Sequence, residues 1–122
     1  VVFLGDYVDK GPDVAGTLEL VSNLSAEHDW IFLRGNHDQM MLDAYRDSSA
    51  FGVWECLSGD DPLASYGPGS TQDLLTDIPG HHMSFLGERC REFYETESFI
   101  FTPPLRTNRR LWTFLSGDRA HR

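Results

Sequence analysis

Lysine is almost missing from this chain: Lys10 is the one lysine in 122 residues. Ten basic side chains face 19 acidic ones, giving a formal net charge of −9 at pH 7. Proteins that bind a nucleic-acid backbone need clustered basic side chains, so the composition argues against nucleic acid as a partner. Long apolar runs are also missing. No stretch approaches the roughly 18 residues of a membrane span, which argues against a membrane partner. The opening residues are apolar but lack the basic leader and small-residue cleavage site of a signal peptide. Cysteine is scarce. Cys56 and Cys90 are far apart and neither belongs to a CxxC pair, so two buried, reduced thiols are expected rather than a disulfide or a zinc site. Together these absences point to the cytoplasm.

What is present suits one domain or part of one. Apolar residues make up 40% of the chain, with eight Phe, four Tyr and three Trp to build a core. Two short apolar runs, Val1-Val2-Phe3-Leu4 and Trp30-Ile31-Phe32-Leu33, each lead into a polar loop: Gly5-Asp6-Tyr7-Val8-Asp9-Lys10-Gly11-Pro12 and Arg34-Gly35-Asn36-His37-Asp38. Between them, Val14, Leu18, Val21 and Leu24 recur at helical spacing, which predicts a helix from about Pro12 to Ala26. Strand, loop, helix, strand, loop is a parallel crossover, and its right-handedness brings both loops to one sheet edge. Open α/β sheets place their ligands beyond that edge.

The loops carry Asp6, Asp9, Lys10, Arg34, Asn36, His37 and Asp38. Carboxylate and amide oxygens are hard ligands, and imidazole suits first-row divalent metals. Two ions about 3.5–4 Å apart can clamp an in-line displacement at phosphorus. An imidazole beside them can protonate a leaving alkoxide, and a carboxylate behind it can fix its tautomer. Lysine and arginine hold phosphoryl groups. The first loop is not a P-loop, because Lys10 precedes the closing Gly11 and no Ser or Thr follows.

GDYVDKGP followed by RGNHD resembles the second and third signature blocks of the calcineurin-like metallophosphoesterases, and is closest to the serine/threonine protein phosphatase branch. The resemblance covers roughly residues 1–102. It implies an α/β sandwich whose mixed, largely parallel sheet is flanked by helices. It implies two divalent ions (manganese, iron or zinc), with Asp6 bridging them and Asn36 binding the second. His37 would be the general acid, oriented by Asp9. Lys10, Arg34 and Asn36 would surround the phosphate, although lysine at position 10 lacks the fork of the family's usual arginine. Asp38 takes a position that is Glu or Asp in the family; favourable placement on the helix dipole explains it equally well.

Two family features are not matched. A DxH block on a preceding strand has no counterpart before Val1, and Pro103-Pro104-Leu105 stands where a later histidine is expected. The sequence therefore reads as a partial phosphoesterase domain over 1–102, a fragment carrying the middle of an active site. Residues 103–122 form an Arg-rich tail that matches nothing in the family pattern. Five arginines and one aspartate fill 106–122, reversing the acidity of the rest.

Further along, Asn36 to Arg46 has helical register. Asp47 to Ser70 is expected to be irregular, with Phe51 and Trp54 as aromatic anchors and Asp60-Asp61-Pro62 as turn chemistry. A short helix is expected at Thr71–Thr76, another at about Gly80–Glu92, and a hairpin from Phe93–Glu95 and Ser98–Thr102. His28 reads as an exposed turn residue. His81 and His82 are not expected to be ligands, because neighbours on a helix point about 100° apart. The expected function is hydrolysis of a phosphorylated protein or small phosphoester by a two-metal-activated water, with this chain alone inactive. The competing readings are a diadenosine polyphosphate hydrolase or phosphodiesterase on the same scaffold, and a catalytically inactive binding module.

Overall fold

The computed structural model describes residues 1–9, 12–58, 62–67 and 72–103. Strand β1 (Val2–Phe3) lies parallel to β2 (Ile31–Phe32), with Val2 opposite Ile31 and Phe3 opposite Phe32. Each strand is shorter than its apolar run. The Ile31 amide donates to the Val1 carbonyl and the Leu33 amide to the Phe3 carbonyl, which closes the ladder at both ends. The stacked rings of Phe3 and Phe32, 4.8 Å apart, seal one face. Arg91 adds a third parallel line beside Leu33 through a single bridge. A separate antiparallel hairpin pairs β3 (Tyr94–Glu95) with β4 (Ile100–Phe101). The chain is thus a mixed α/β fold with a small parallel sheet beside its helices.

Helix α1 (Val14–Glu27) makes the crossover and buries Val14, Leu18 and Val21. It starts after the predicted Pro12 because Asp13 is its cap rather than part of its first turn. The Asp13 carboxylate accepts from the Gly16 amide at 2.9 Å, satisfying one of the orphan donors at a helix start. Helix α2 spans Asn36–Arg46, as its sequence register predicts, and buries Met41, Leu42 and Ala44.

Residues 47–58 depart from expectation. A 3₁₀ turn at Ser48–Ala50 leads into a third helix, α3 (Phe51–Ser58). Phe51 and Trp54, three residues apart, are its buried side; helical periodicity is hard to recognise in only two turns. The predicted helix at 80–92 also divides. Helix α4 (Gly80–Ser84) widens into a π-type turn over Phe85–Arg89, and the chain is extended from Cys90. A 3₁₀ helix spans Gln72–Asp77. Cys90 is buried as expected, whereas Cys56 is exposed on α3; both are free thiols. Burial pushes the Cys90 thiol up, which keeps it protonated and inert. Among the described residues, no helix is long and apolar enough to cross a membrane.

Candidate active site

The loops after β1 and β2 touch backbone to backbone. A Cβ on Gly5 would lie 2.6 Å from the Gly35 nitrogen, and one on Gly35 would lie 2.1 Å from the Asp6 carboxylate. Gly5 has φ +95°, while Asp6 and Asp9 have φ 59° and 67°. Asp is among the few side chains that tolerate the left-handed region. Two such residues in one short loop need outside support.

Asp38 supplies that support. Its side chain is fully buried. One carboxylate oxygen accepts from the amides of Asp6 (2.6 Å) and Gly35 (2.8 Å). The other accepts from Tyr7 (2.8 Å) and Val8 (3.2 Å). Burial pushes the carboxyl up to about 6, against the downward pull of these backbone donors. Asp38 therefore does more than meet the dipole of α2: it ties the second loop to the first.

Within this frame His37 Nδ1 lies 3.0 Å from Asp9 Oδ2. Asp9 is 1% exposed and His37 21%. The same carboxylate oxygen accepts from Trp54 Nε1 at 2.7 Å. With Nδ1 donating to Asp9, the proton of the neutral ring sits on Nδ1 and Nε2 is left to take or give another. Asp9 Oδ1 is buried without a partner among the described residues.

Asp6 and Asn36 sit in the same pair of loops. Asp6 Oδ1 faces the His37 amide at a long 3.4 Å, and Asn36 opens α2, half-buried. An aspartate carboxylate and an asparagine amide oxygen are the hard donors that a divalent cation takes. Gly35 leaves the Asp6 carboxylate the space a side chain would fill. These two residues fit as part of a metal ligand set. Arg34 is engaged elsewhere: Nη1 donates to the Leu86 carbonyl at 2.8 Å and Nη2 lies 3.8 Å from Glu92. Lys10 lies outside the described residues, as do Asp60, Asp61 and 104–122.

A second polar cluster stands apart from these loops. His81 Nε2 and His82 Nε2 lie 2.5 and 2.7 Å from one oxygen of Glu19 on α1. Ligand atoms of the three residues fall within 4.8 Å of one another. Hydrogen bonds from His81 and His82 hold the Glu19 carboxyl down at about 2. His81 and His82, not expected from the sequence to be ligands, here converge on one carboxylate oxygen. His28 is exposed as expected, stacked on Trp30 at 3.9 Å.

A parallel crossover that brings GDYVDKGP and RGNHD into contact at one sheet edge defines a class, and the comparisons agree with it. The chain belongs to the calcineurin-like phosphoesterase family, whose sequence model matches residues 1–116. It is similar to serine/threonine-protein phosphatase 1 of Salmonella typhimurium (strain LT2), with 43% identity over 61 residues. That stretch is 49% of this chain and 26% of the relative, so the chain matches about a quarter of the relative's length. No solved structure matches it.

Sequence reasoning missed two parts of this arrangement. Trp54 was legible as an aromatic anchor, and a buried indole N–H does need an acceptor, but nothing in the order of residues names Asp9 as that acceptor, 45 positions away. Glu19 carries no signal in the sequence that sets it apart from other helical acids.

Proposed function

We propose that the protein is a metal-dependent phosphoester hydrolase of the serine/threonine protein phosphatase type. The observation that carries this reading is the His37–Asp9 pair, which bridges the two abutting loops that also carry Asp6 and Asn36. In this reading Asp6 and Asn36 hold divalent ions. When bound, those ions would activate a water and neutralise charge on the phosphoryl oxygens. Asp9 keeps the His37 ring in one tautomer. His37 gives the proton to the leaving oxygen. Lys10 supplies positive charge to the phosphate, and Asn36 lies beside it. Arg34 joins them only on leaving Leu86 and Glu92. Two oxygen donors are too few for two ions, so these 122 residues are proposed to be inactive alone, their ligand set completed by flanking sequence. The substrates proposed are phosphorylated proteins or small phosphoesters.

The test is manganese-dependent release of phosphate from a phosphoserine peptide and from para-nitrophenyl phosphate. It compares this chain with the full-length polypeptide and with full-length His37→Ala. Activity in the full-length protein is expected to fall about 10²–10⁴-fold on the peptide in the variant. The loss should be smaller on para-nitrophenyl phosphate, whose leaving group needs little proton assistance. Absence of metal-dependent activity in the full-length protein overturns the reading. Hydrolysis of diadenosine tetraphosphate but not of the peptide would overturn the substrate class while keeping the chemistry.

A further inference from the structure

We propose that Glu19, His81 and His82 form a divalent transition-metal site on the seam between α1 and α4, sharing no residue with the Asp6–Asn36 loops. The site takes a zinc-like ion through two imidazole Nε2 atoms and one carboxylate, leaving a position for water. This set suits zinc and its first-row neighbours better than magnesium or calcium, which prefer all-oxygen shells.

The first observation is convergence. Two neighbouring histidines aim the same ring atom, Nε2, at one oxygen of an acid 62 and 63 positions earlier. Their rings meet edge to face, 4.6 Å apart at 78°. Both histidines lie within α4, and their long side chains reach the one Glu19 oxygen from adjacent positions.

The second observation is the support behind His82. Its side chain is 3% exposed, and its remaining nitrogen, Nδ1, lies 2.8 Å from the Tyr66 hydroxyl. Histidines that bind metal commonly have the far nitrogen held in this way. A hydroxyl suits both states of the ring because it can donate or accept. Without a cation, His82 Nε2–H donates to Glu19 and Nδ1 accepts from Tyr66. With a cation on Nε2, the ring proton moves to Nδ1 and is donated to the same oxygen. Tyr66 is itself placed from α1, since the neighbouring Ser65 hydroxyl accepts from the Ala15 amide at 2.9 Å.

The third observation is room to adjust. Tetrahedral ligand atoms around zinc stand about 3.3 Å apart given bonds of about 2.0–2.1 Å, so an ion must move the Glu19 oxygen less than an ångström away from each ring nitrogen, now 2.5 and 2.7 Å from it. His81 and Glu19 are 52% and 50% exposed and can swing outward, while His82 stays fixed. The ion would staple α4, and the π-type turn that follows it, to the crossover helix.

The test uses the full chain, stripped with chelator and titrated with cobalt(II) as a spectroscopic stand-in for zinc. Tetrahedral cobalt absorbs strongly in the visible, and competition with zinc then gives the zinc affinity. The expected result is an absorbing one-to-one complex in the wild type. Glu19→Gln and His81→Ala, both at half-exposed positions that spare the core, should weaken it at least tenfold. Tyr66→Phe should weaken it about tenfold, and Asp6→Asn should leave it unchanged. Absence of the band in the wild type overturns the proposal, as does a band that Asp6→Asn removes and His81→Ala does not. Because the readout is metal binding rather than hydrolysis, the site stands or falls independently of the phosphatase reading.

Discussion

Trp54 holds two positions at once. Its indole is fully buried in the core, and its N–H reaches the Asp9 oxygen that also faces His37. Trp54→Phe keeps most of the packing and removes the donor. A hydrogen bond to a charged group contributes about 1.5–3 kcal/mol, and urea unfolding should show a loss of that order. On the proposed function, the same variant in the full-length polypeptide should lower kcat about tenfold on phosphoesters with poor leaving groups while KM holds; an unchanged kcat would reduce Trp54 to packing. Asp38 makes the complementary case. Asp38→Asn retains one acceptor oxygen where four amides converged and turns an N–H₂ group toward two of them. A destabilisation of about 3 kcal/mol is expected, read as a lower urea midpoint. A stability loss under about 0.5 kcal/mol would show that the loops hold without it.

At the scale of elements, the crossover was legible because every layer of information agreed: apolar runs for β1 and β2, a stripe at Val14, Leu18 and Val21, and turn-forming glycines between. Helix α2 was legible end to end for the same reason. Helix α3 was not, since two turns carry too little periodicity and its two aromatics could equally anchor a loop. The angle between adjacent helical positions speaks against His81 and His82 as ligands but takes no account of side-chain reach: both rings meet one oxygen of Glu19. The joint between α2 and α3 offers a pH test. Asp47 accepts from the Ser49 hydroxyl at 2.8 Å and the Ser49 amide at 3.0 Å, and these bonds hold its carboxyl below the ordinary 3.8. A depressed folded-state value means that the stabilisation is complete above 3.8 and fades as pH falls below it. The stability gap between wild type and Asp47→Ala should therefore be constant from pH 7 to 5 and close on further acidification, followed by denaturant unfolding at each pH. A gap that widens in acid would contradict the assignment.

For the whole molecule, the acidic excess is the dominant long-range term. A formal charge of −9 on 122 residues repels itself in the compact state, and salt screens that repulsion over a Debye length of about 10 Å at 0.1 M. Raising sodium chloride from about 0.02 to 0.2 M at pH 7 should raise Tm, as followed by differential scanning fluorimetry. A falling Tm would instead show that attractive pairs outweigh the net charge. The four amides gathered on Asp38 have a consequence of another kind. Those of Asp6, Tyr7 and Val8 belong to a loop, outside any helix or strand, and loop amides usually trade their hydrogens with solvent quickly. Here their acceptor lies some 30 residues away on another element. Opening them means parting the two loops that Asp38 ties together, so they should exchange more slowly than ordinary loop amides. The loop would then let water in later than a loop usually does.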